Sequence, residues 1–189
     1  MTDVGDLEKT AYKLIKNGDY EAAVKVLITL SELDSSYALL SLGWIYDSGK
    51  IGISDSRRAA KYYEKAAMLG SGSGFFELGR LRYDEGNLVE SRRIFSDGSN
   101  IGDIRCLAWY GSMMAKGEGG EKNVEEAIKI LEVASEGGQL IAKRVLIGLK
   151  IDSSDSLLMK LFLYMKIIPL SLLAVYEAIR DPYSDRGYR

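Results

Sequence analysis

An internal repeat is the feature that most limits what this chain can fold into. Five small residues recur without a gap at a separation of 68 residues. They are Gly43, Gly49, Ala59, Ala66 and Gly70 in residues 36–70, and Gly111, Gly117, Ala127, Ala134 and Gly138 in residues 104–138. Repetition of this kind indicates stacked supersecondary units that bury their apolar faces on one another. The sequence therefore predicts an array rather than one unrepeated core.

Two shorter copies complete the array. Residues 71–102 place Gly79, Ser91 and Gly102 at positions that match Gly43, Ala59 and Gly70, and "GDYEAAVKVL" in residues 3–34 parallels "GNLVESRRIF". The predicted repeats are residues 3–34, 35–70, 71–102 and 103–138, and residues 139–150 have the pattern of a half-repeat. Residues 1–150 are thus predicted to form the array, residues 151–180 an apolar helical segment, and residues 181–189 a polar tail.

Each copy has the pattern of two antiparallel helices. Apolar residues at helical spacing, such as Leu39, Leu42 and Tyr46, mark the first helix. Asp55 or Asn123 is expected to cap the second helix, which ends at a glycine suited to left-handed backbone. The small residues are expected where helices cross closely, because a larger side chain would force the helices apart. These features predict an all-α fold.

The residues from Ala38 to Gly70 carry a recognisable family pattern, "A-x3-LG-x2-Y-x2-G … D-x3-A-x2-YYEKAA-x2-G". This pattern resembles a Sel1-like repeat, a relative of the tetratricopeptide repeat with a longer loop between its helices. Residues 104–138 resemble it too, with Asn123 at the aspartate position and Ile130 and Leu131 where aromatics are usual. The resemblance covers about three quarters of the chain. It implies a right-handed superhelical α-solenoid of antiparallel helix pairs that serves as an adaptor or scaffold.

The resemblance to tetratricopeptide arrays also implies a concave groove, lined by the first helices, that receives a peptide or protein segment. Counting from the glycine of each copy, the family's groove-facing positions fall on Tyr12, Ile15, Tyr37, Leu40, Trp44, Asp47, Phe76, Arg80, Tyr83, Arg105, Ala108 and Ser112. Aromatic residues and arginine are over-represented in binding hot spots. The alternative is that many of these aromatics pack between helices, with Trp44 and Tyr83 the ambiguous cases.

Composition argues against an enzyme. The chain has no histidine and one cysteine, which removes Ser/His and Cys/His pairs and histidine metal ligation. Cys106 has no second thiol and is expected to be a small buried residue. The loop "GEGGEKN" lacks the Lys-Ser/Thr pair of a phosphate-binding loop, and "DSSDS" is expected to cap a helix through Asp155 or Ser156. We therefore expect no catalytic residues, cofactor or metal.

The segment from Leu157 to Tyr176, "LLMKLFLYMKIIPLSLLAVY", is as long as a membrane span but contains two lysines and a proline. Its apolar residues favour insertion by about 5 kcal/mol, whereas the central Lys166 costs roughly 3 kcal/mol and Lys160 lies nearer one end, where it could snorkel. The sum is close to zero, so the spanning alternative stays open but is not driven. Pro169 is expected to divide it into two helices, roughly residues 156–167 and 170–180, that cap the array. The residues predicted to dock a partner or contact a membrane are Leu161, Phe162, Met165, Leu170 and Leu173.

The sequence thus predicts a non-catalytic scaffold that binds a protein partner in the groove of its array. The alternative is a membrane-associated adaptor of a bacterial envelope or polysaccharide-assembly complex, attached through residues 157–176. The net charge of −2 gives no reason to expect nucleic acid, whose binding needs clustered basic residues. The N-terminal residues lack a signal-peptide pattern, so a cytoplasmic location, with possible membrane association, is expected. Self-association through the apolar segment stays open.

Overall fold

The computed structural model describes residues 3–180, and it describes side chains as far as Leu172. Over these residues the chain is all-α, without a strand, which confirms the predicted fold class. The helices are α1 (Val4–Lys16), α2 (Tyr20–Glu32), α3 (Ser36–Asp47), α4 (Ser56–Met68), α5 (Gly72–Asp84), α6 (Leu88–Asn100), α7 (Ile104–Lys116), α8 (Val124–Glu136), α9 (Leu140–Asp152) and α10 (Leu157–Arg180). The chain forms two compact units, and the boundary between Leu81 and Arg82 falls within α5.

The core of the first unit is centred on α3. This helix packs against α2 on one side and α4 on the other, and every residue from Ala38 to Tyr46 is buried. Leu27 and Leu30 of α2, Leu39 and Leu42 of α3 and Tyr63 of α4 are almost fully removed from solvent. Burial of each such large apolar side chain contributes about 1.5–3 kcal/mol. A helix with partners on both sides is apolar all round, which explains the run "YALLSLGWIY".

Close helix crossings account for two of the recurring glycines. A Cβ atom on Gly43 would overlap the ring of Tyr63, so α3 and α4 approach closely at this point. The equivalent Cβ on Gly111 would lie 2.9 Å from Cγ2 of Ile130 and 3.0 Å from Cγ of Leu131 on α8. The expectation that small residues mark close crossings is confirmed at both positions.

The second helix of each pair ends in the same backbone motif. Asp34, Gly70, Gly102 and Gly138 all have positive φ, at 57°, 81°, 89° and 89°. In each case the next N–H donates to the carbonyl five residues before it, as from Ser71 to Ala66 at 3.0 Å and from Gln139 to Ala134 at 3.0 Å. This is the Schellman C-cap, which satisfies carbonyls that a helix end leaves unpaired.

The predicted N-caps are also present. Oδ1 of Asp55 accepts from the N–H of Arg58 at 2.9 Å, and Oδ1 of Asn123 accepts from that of Glu126 at 3.0 Å. Oγ of Ser156 accepts from the N–H of Met159 at 3.3 Å, so the "DSSDS" segment starts a helix as expected.

The second unit contains α6 to α10 and the last residues of α5. Helix α7 packs on α6 and α8, and α8 packs on α9. Its core is small-residue-rich and includes Ala108, Met114, Ala115, Ala127, Leu131, Ala134 and Ala142. Helix α10 packs on α9.

The expected break at Pro169 does not occur, because α10 is one continuous helix of 24 residues. Proline removes its own N–H and leaves the carbonyl four residues earlier, that of Met165, without a partner. Pro169 lies on the exposed side of the helix, where water can satisfy that carbonyl. The inward-facing Leu163 and Leu170 lie on either side of the proline at helical spacing. Tertiary packing thus offsets the local cost of proline in this helix.

Candidate protein-binding surfaces

Five of the residues predicted to line the groove are buried. They are Leu40, Trp44, Phe76, Ala108 and Ser112. Trp44 is only 4% exposed, and its ring meets that of Tyr20 edge-on with the centroids 5.8 Å apart. Nζ of Lys50 lies 5.7 Å from both ring centroids. Trp44 therefore packs between α2 and α3. Of the two roles that the sequence allowed for this residue, groove contact or packing between helices, the structure has the second.

Two of the tyrosines that were predicted to line the groove remain accessible in the first unit. Tyr12 on α1 is well exposed and Tyr37 on α3 is half-buried. Burial, together with the nearby Glu8, raises the pKa of Tyr37 and outweighs its hydrogen bond with Ser41. The Tyr37 phenol therefore stays neutral at physiological pH. Both tyrosines offer an apolar ring with a polar edge.

Arg80 lies between two carboxylates in the first unit. Its Nε donates to Oε2 of Glu77 at 3.1 Å, and its Nη2 donates to Oδ2 of Asp47 at 2.6 Å. Asp47 ends α3 and Arg80 belongs to α5, so the cluster links the first helices of two successive repeats. Burial would lower the pKa of Arg80, but the two carboxylates raise it overall. The predicted basic contact is thus neutralised within its own unit.

Tyr83 and Trp109 form an aromatic cluster with Phe95 in the second unit. The Tyr83 and Trp109 rings meet edge-on at 5.1 Å, and Trp109 stacks on Phe95 at 5.2 Å. The Tyr83 hydroxyl lies 3.3 Å from both carboxylate oxygens of Glu118. Burial raises the pKa of Tyr83, and Glu118 raises it further. Tyr83 is therefore anchored by packing, with its hydroxyl directed to the loop after α7.

Arg105 is engaged at the start of α7. Its Nη2 donates to Oδ2 of Asp103 at 2.6 Å, while Oδ1 of Asp103 accepts from the N–H groups of Arg105 and Cys106 at 2.9 and 3.0 Å. Burial would raise the pKa of Asp103, but Arg105 and the Cys106 N–H lower it overall. Cys106 is fully buried, and burial raises the pKa of its thiol. The expected burial of Cys106 is confirmed.

The apolar residues predicted on the C-terminal segment are mostly accessible. Leu161, Phe162 and Met165 are exposed and Leu170 is half-buried. Leu173 belongs to α10, but its side chain lies outside the described residues. Among the described side chains of this helix, the buried one is Leu163, which the sequence did not mark as special.

Sequence reasoning also missed Glu77 and Trp109. Both lie two residues before the glycine of their copy, at the position that Ser41 occupies in the second copy. Ser41 and Glu77 are buried and Trp109 is half-buried. The position is chemically different in these three copies, so no shared residue type marked it in the sequence.

Neither a metal site nor a membrane-spanning helix is found in the described part of the chain. Among those residues, no three His, Cys, Asp or Glu side chains are arranged to hold a metal ion. None of the helices there combines the length and the apolar character that crossing a membrane requires.

Comparison with known proteins supports the repeat assignment. Residues 36–71 and 104–139 match the family model of the Sel1 repeat. Half of the chain, 95 residues, is 32% identical to chitin synthase regulatory factor 4 of Schizosaccharomyces pombe, of which it covers 15%. The chain therefore spans a small part of that curated relative.

Two bacterial structures have a similar fold. The Sel1 repeat protein from Oxalobacter formigenes has a TM-score of 0.66 and 28% identity over 76% of this chain and 60% of its own. A protective antigen of uropathogenic Escherichia coli strains with an SLR fold has a TM-score of 0.63 and 22% identity over 78% of this chain and 33% of its own. Sel1 repeat proteins generally act as non-catalytic scaffolds for protein–protein interaction. The segments 36–71 and 104–139 thus match the Sel1 repeat, as their sequence pattern predicts.

Proposed function

We propose that this chain is a non-catalytic scaffold that binds a peptide or protein segment through the accessible residues of the first helices of its repeats. In the first unit these residues are Tyr12, Tyr37 and the Asp47–Arg80 pair, which lie on α1, α3 and α5. The observation that carries the proposal is that Tyr12 is well exposed and Tyr37 half-buried, whereas the other aromatics at the predicted groove positions of this unit, Trp44 and Phe76, are buried. Tyrosine offers a large contact area at a small entropic cost.

The charges narrow the class of partner. Arg80 is held by Asp47 and Glu77, and Arg105 of the second unit is held by Asp103. Neither guanidinium therefore favours an acidic ligand, because a new carboxylate would have to displace an existing one. We expect a partner segment that contacts the tyrosines through apolar and hydrogen-bonding groups rather than through a cluster of acidic residues.

Site-specific photo-crosslinking tests this proposal. A photoreactive phenylalanine at Tyr12, introduced in the native host, is expected to give a discrete adduct that weakens in a Tyr37→Ala background. The control carries the same group at Met68, which is exposed at the end of α4 and outside the first helices. Equal adducts from both positions, or an adduct unaffected by Tyr37→Ala, would remove the tyrosines from the proposed site.

The alternative function, a membrane-associated adaptor of a bacterial envelope or polysaccharide-assembly complex, stays a prediction. It depends on the exposed apolar side chains of α10. Co-flotation of the full-length chain with lipid vesicles is the measurement that tests it.

A further inference from the structure

Helix α10 has two apolar faces, and among the residues that the structure describes only one of these faces is packed against the rest of the chain. Leu163 is buried, and Ile167 and Leu170 are half-buried, on the side that packs toward α9. On the opposite side lies a row of exposed side chains that we call the outer seam, Leu158, Leu161, Met165, Ile168 and Leu172. At 100° per residue these five fall within an arc of about 80°, centred about 180° from Leu163.

The outer seam has the spacing of a coiled coil. Its residues follow one another at intervals of three, four, three and four, which are the a and d positions of a heptad repeat. The sequence continues the same spacing at Val175 and Ile179, in the part of α10 whose side chains lie outside the described residues. A seam of this period fits a second helix, because knobs-into-holes packing requires it.

We propose that α10 pairs with α10 of a second copy of this chain through the outer seam. The seam is self-complementary. The flanking e and g positions next to its described residues are Leu157, Phe162, Tyr164, Pro169 and Ser171, none of which carries a charge. Like charges at these positions would oppose a homodimer, and opposite charges would select a different partner. Their absence leaves two copies free to meet about a two-fold axis.

The surface is large enough for a stable pair. Leu158 and Leu172 are 79% and 65% exposed, and Leu157, Phe162 and Tyr164 extend the apolar area beside the seam. With roughly 150–200 Å² for each fully exposed large side chain, these residues offer on the order of 800 Å², about what one partner contributes to a standard interface. The 24 residues of α10 extend over about 36 Å, or three heptads.

The charges of α10 favour a protein partner over a lipid surface. An interfacial membrane helix has a strongly basic polar face. The described part of α10 has two lysines, and Lys160 is half-buried on the side away from the seam. Nζ of Lys166 lies 4.5 Å from the centroid of the Phe162 ring. With a net charge of −2, the chain has little electrostatic attraction to anionic lipid.

Analytical ultracentrifugation of the full-length chain with matched variants tests the proposal. Met165→Lys places a charge in the seam, whereas Met159→Lys makes the same change on the same helix outside it. The two methionines are 65% and 50% exposed, so neither substitution disturbs the core. We expect a dimer for the parent chain and for Met159→Lys, and a dissociation constant raised about 100-fold or more for Met165→Lys, because the charge would be buried without a partner.

Circular dichroism and thermal unfolding confirm that each variant is folded, and Leu161→Glu provides a second seam variant with the opposite charge. A mixture of Met165→Lys and Leu161→Glu chains is expected to regain part of the dimer. A parent chain that stays monomeric at 100 µM, or equal loss of the dimer in both methionine variants, would overturn the proposal. Binding of the parent monomer to phosphatidylglycerol vesicles, lost in Met165→Lys, would overturn it in favour of a membrane surface.

Discussion

Nη2 of Arg80 on α5 lies 2.6 Å from Oδ2 of Asp47 at the end of α3. The same guanidinium holds Glu77, whose side chain is 5% exposed. Asp47 and Arg80, which the sequence predicted as partner contacts in the groove, thus form an ion cluster with Glu77 that connects two successive repeats.

Replacement of Arg80 is expected to be costly because it leaves a buried carboxylate behind. Arg80→Met should lower the free energy of unfolding by about 3 kcal/mol, whereas Arg80→Met with Glu77→Gln should recover at least half of that loss. Urea unfolding measures both. Arg93→Met, which breaks the exposed pair with Asp97, is the control and should cost less than about 1 kcal/mol. A double variant no more stable than Arg80→Met would contradict the role given to Glu77.

Gly43→Ala is expected to destabilise the first unit, because the added methyl group would overlap the buried ring of Tyr63. Overpacking of this kind costs about 1–3 kcal/mol. Gly148→Ala on α9 is the matched control, since a Cβ there has no atom within 4 Å. There the higher helix propensity of alanine should stabilise the chain by up to about 1 kcal/mol. Thermal unfolding of the two variants should therefore shift in opposite directions, and equal shifts would argue against a close α3–α4 crossing.

Arg105→Met should change how stability depends on pH. Because the pKa of Asp103 is lowered in the folded chain, its stabilising contribution is present above its ordinary value of about 4 and is lost as the pH falls through the lower folded pKa. Without Arg105 that pKa should rise. We expect the variant to be less stable than the parent by about 1–2 kcal/mol at pH 7, with the two stabilities converging near pH 2. Urea unfolding at both pH values checks this, and a difference that persists at pH 2 would point to lost packing instead.

Asp34 and Gly70 occupy equivalent C-caps, and their substitutions should have opposite effects. Gly70→Ala places a side chain at φ 81° and should cost about 1 kcal/mol. Asp34→Gly relieves the same strain at φ 57° but loses an exposed ion pair between Asp34 and Lys65, so a net gain of about 0.5 kcal/mol is expected. Lys65→Met removes this ion pair together with the hydrogen bond from Nζ to the Ser31 carbonyl, so its cost, measured by urea unfolding, is an upper limit for the loss of the pair. Destabilisation by Asp34→Gly beyond that of Lys65→Met would contradict the strain argument.

Backbone features were predictable because they depend on local chemistry. The left-handed caps, the N-caps at Asp55 and Asn123 and the close approach at Gly43 follow from residue types that few alternatives can replace. Side-chain exposure was not predictable in this way. Tyr12, Trp44, Arg80 and Ser112 share one repeat position, yet they are exposed, buried, half-buried and buried in turn. The exposure of each side chain depends on which residues of the adjacent helices pack against it. A single sequence does not show which residues these are.

At Pro169 the local chemistry gave the wrong prediction, because the helix continues through the proline. Proline disfavours a helix by about 3 kcal/mol, and that cost was expected to end the helix. Contacts of Leu163 and Leu170 on either side of it were not visible in a residue-by-residue argument. The continuous helix that results is also what keeps the outer seam in phase across the proline.

The second helix of each of the four repeats ends in the same Schellman cap, so the backbone has the same conformation at every repeat end. The second, third and fourth copies each begin just after a left-handed residue and close with the next one, so the chain enters and leaves these copies in the same backbone geometry. Gain or loss of a whole copy, from one such residue to the next, would rejoin matching ends, whereas a cut a few residues away would join a helix to a turn. Recombination between two of the sites Asp34, Gly70, Gly102 and Gly138 would therefore change the copy number without requiring a new connection.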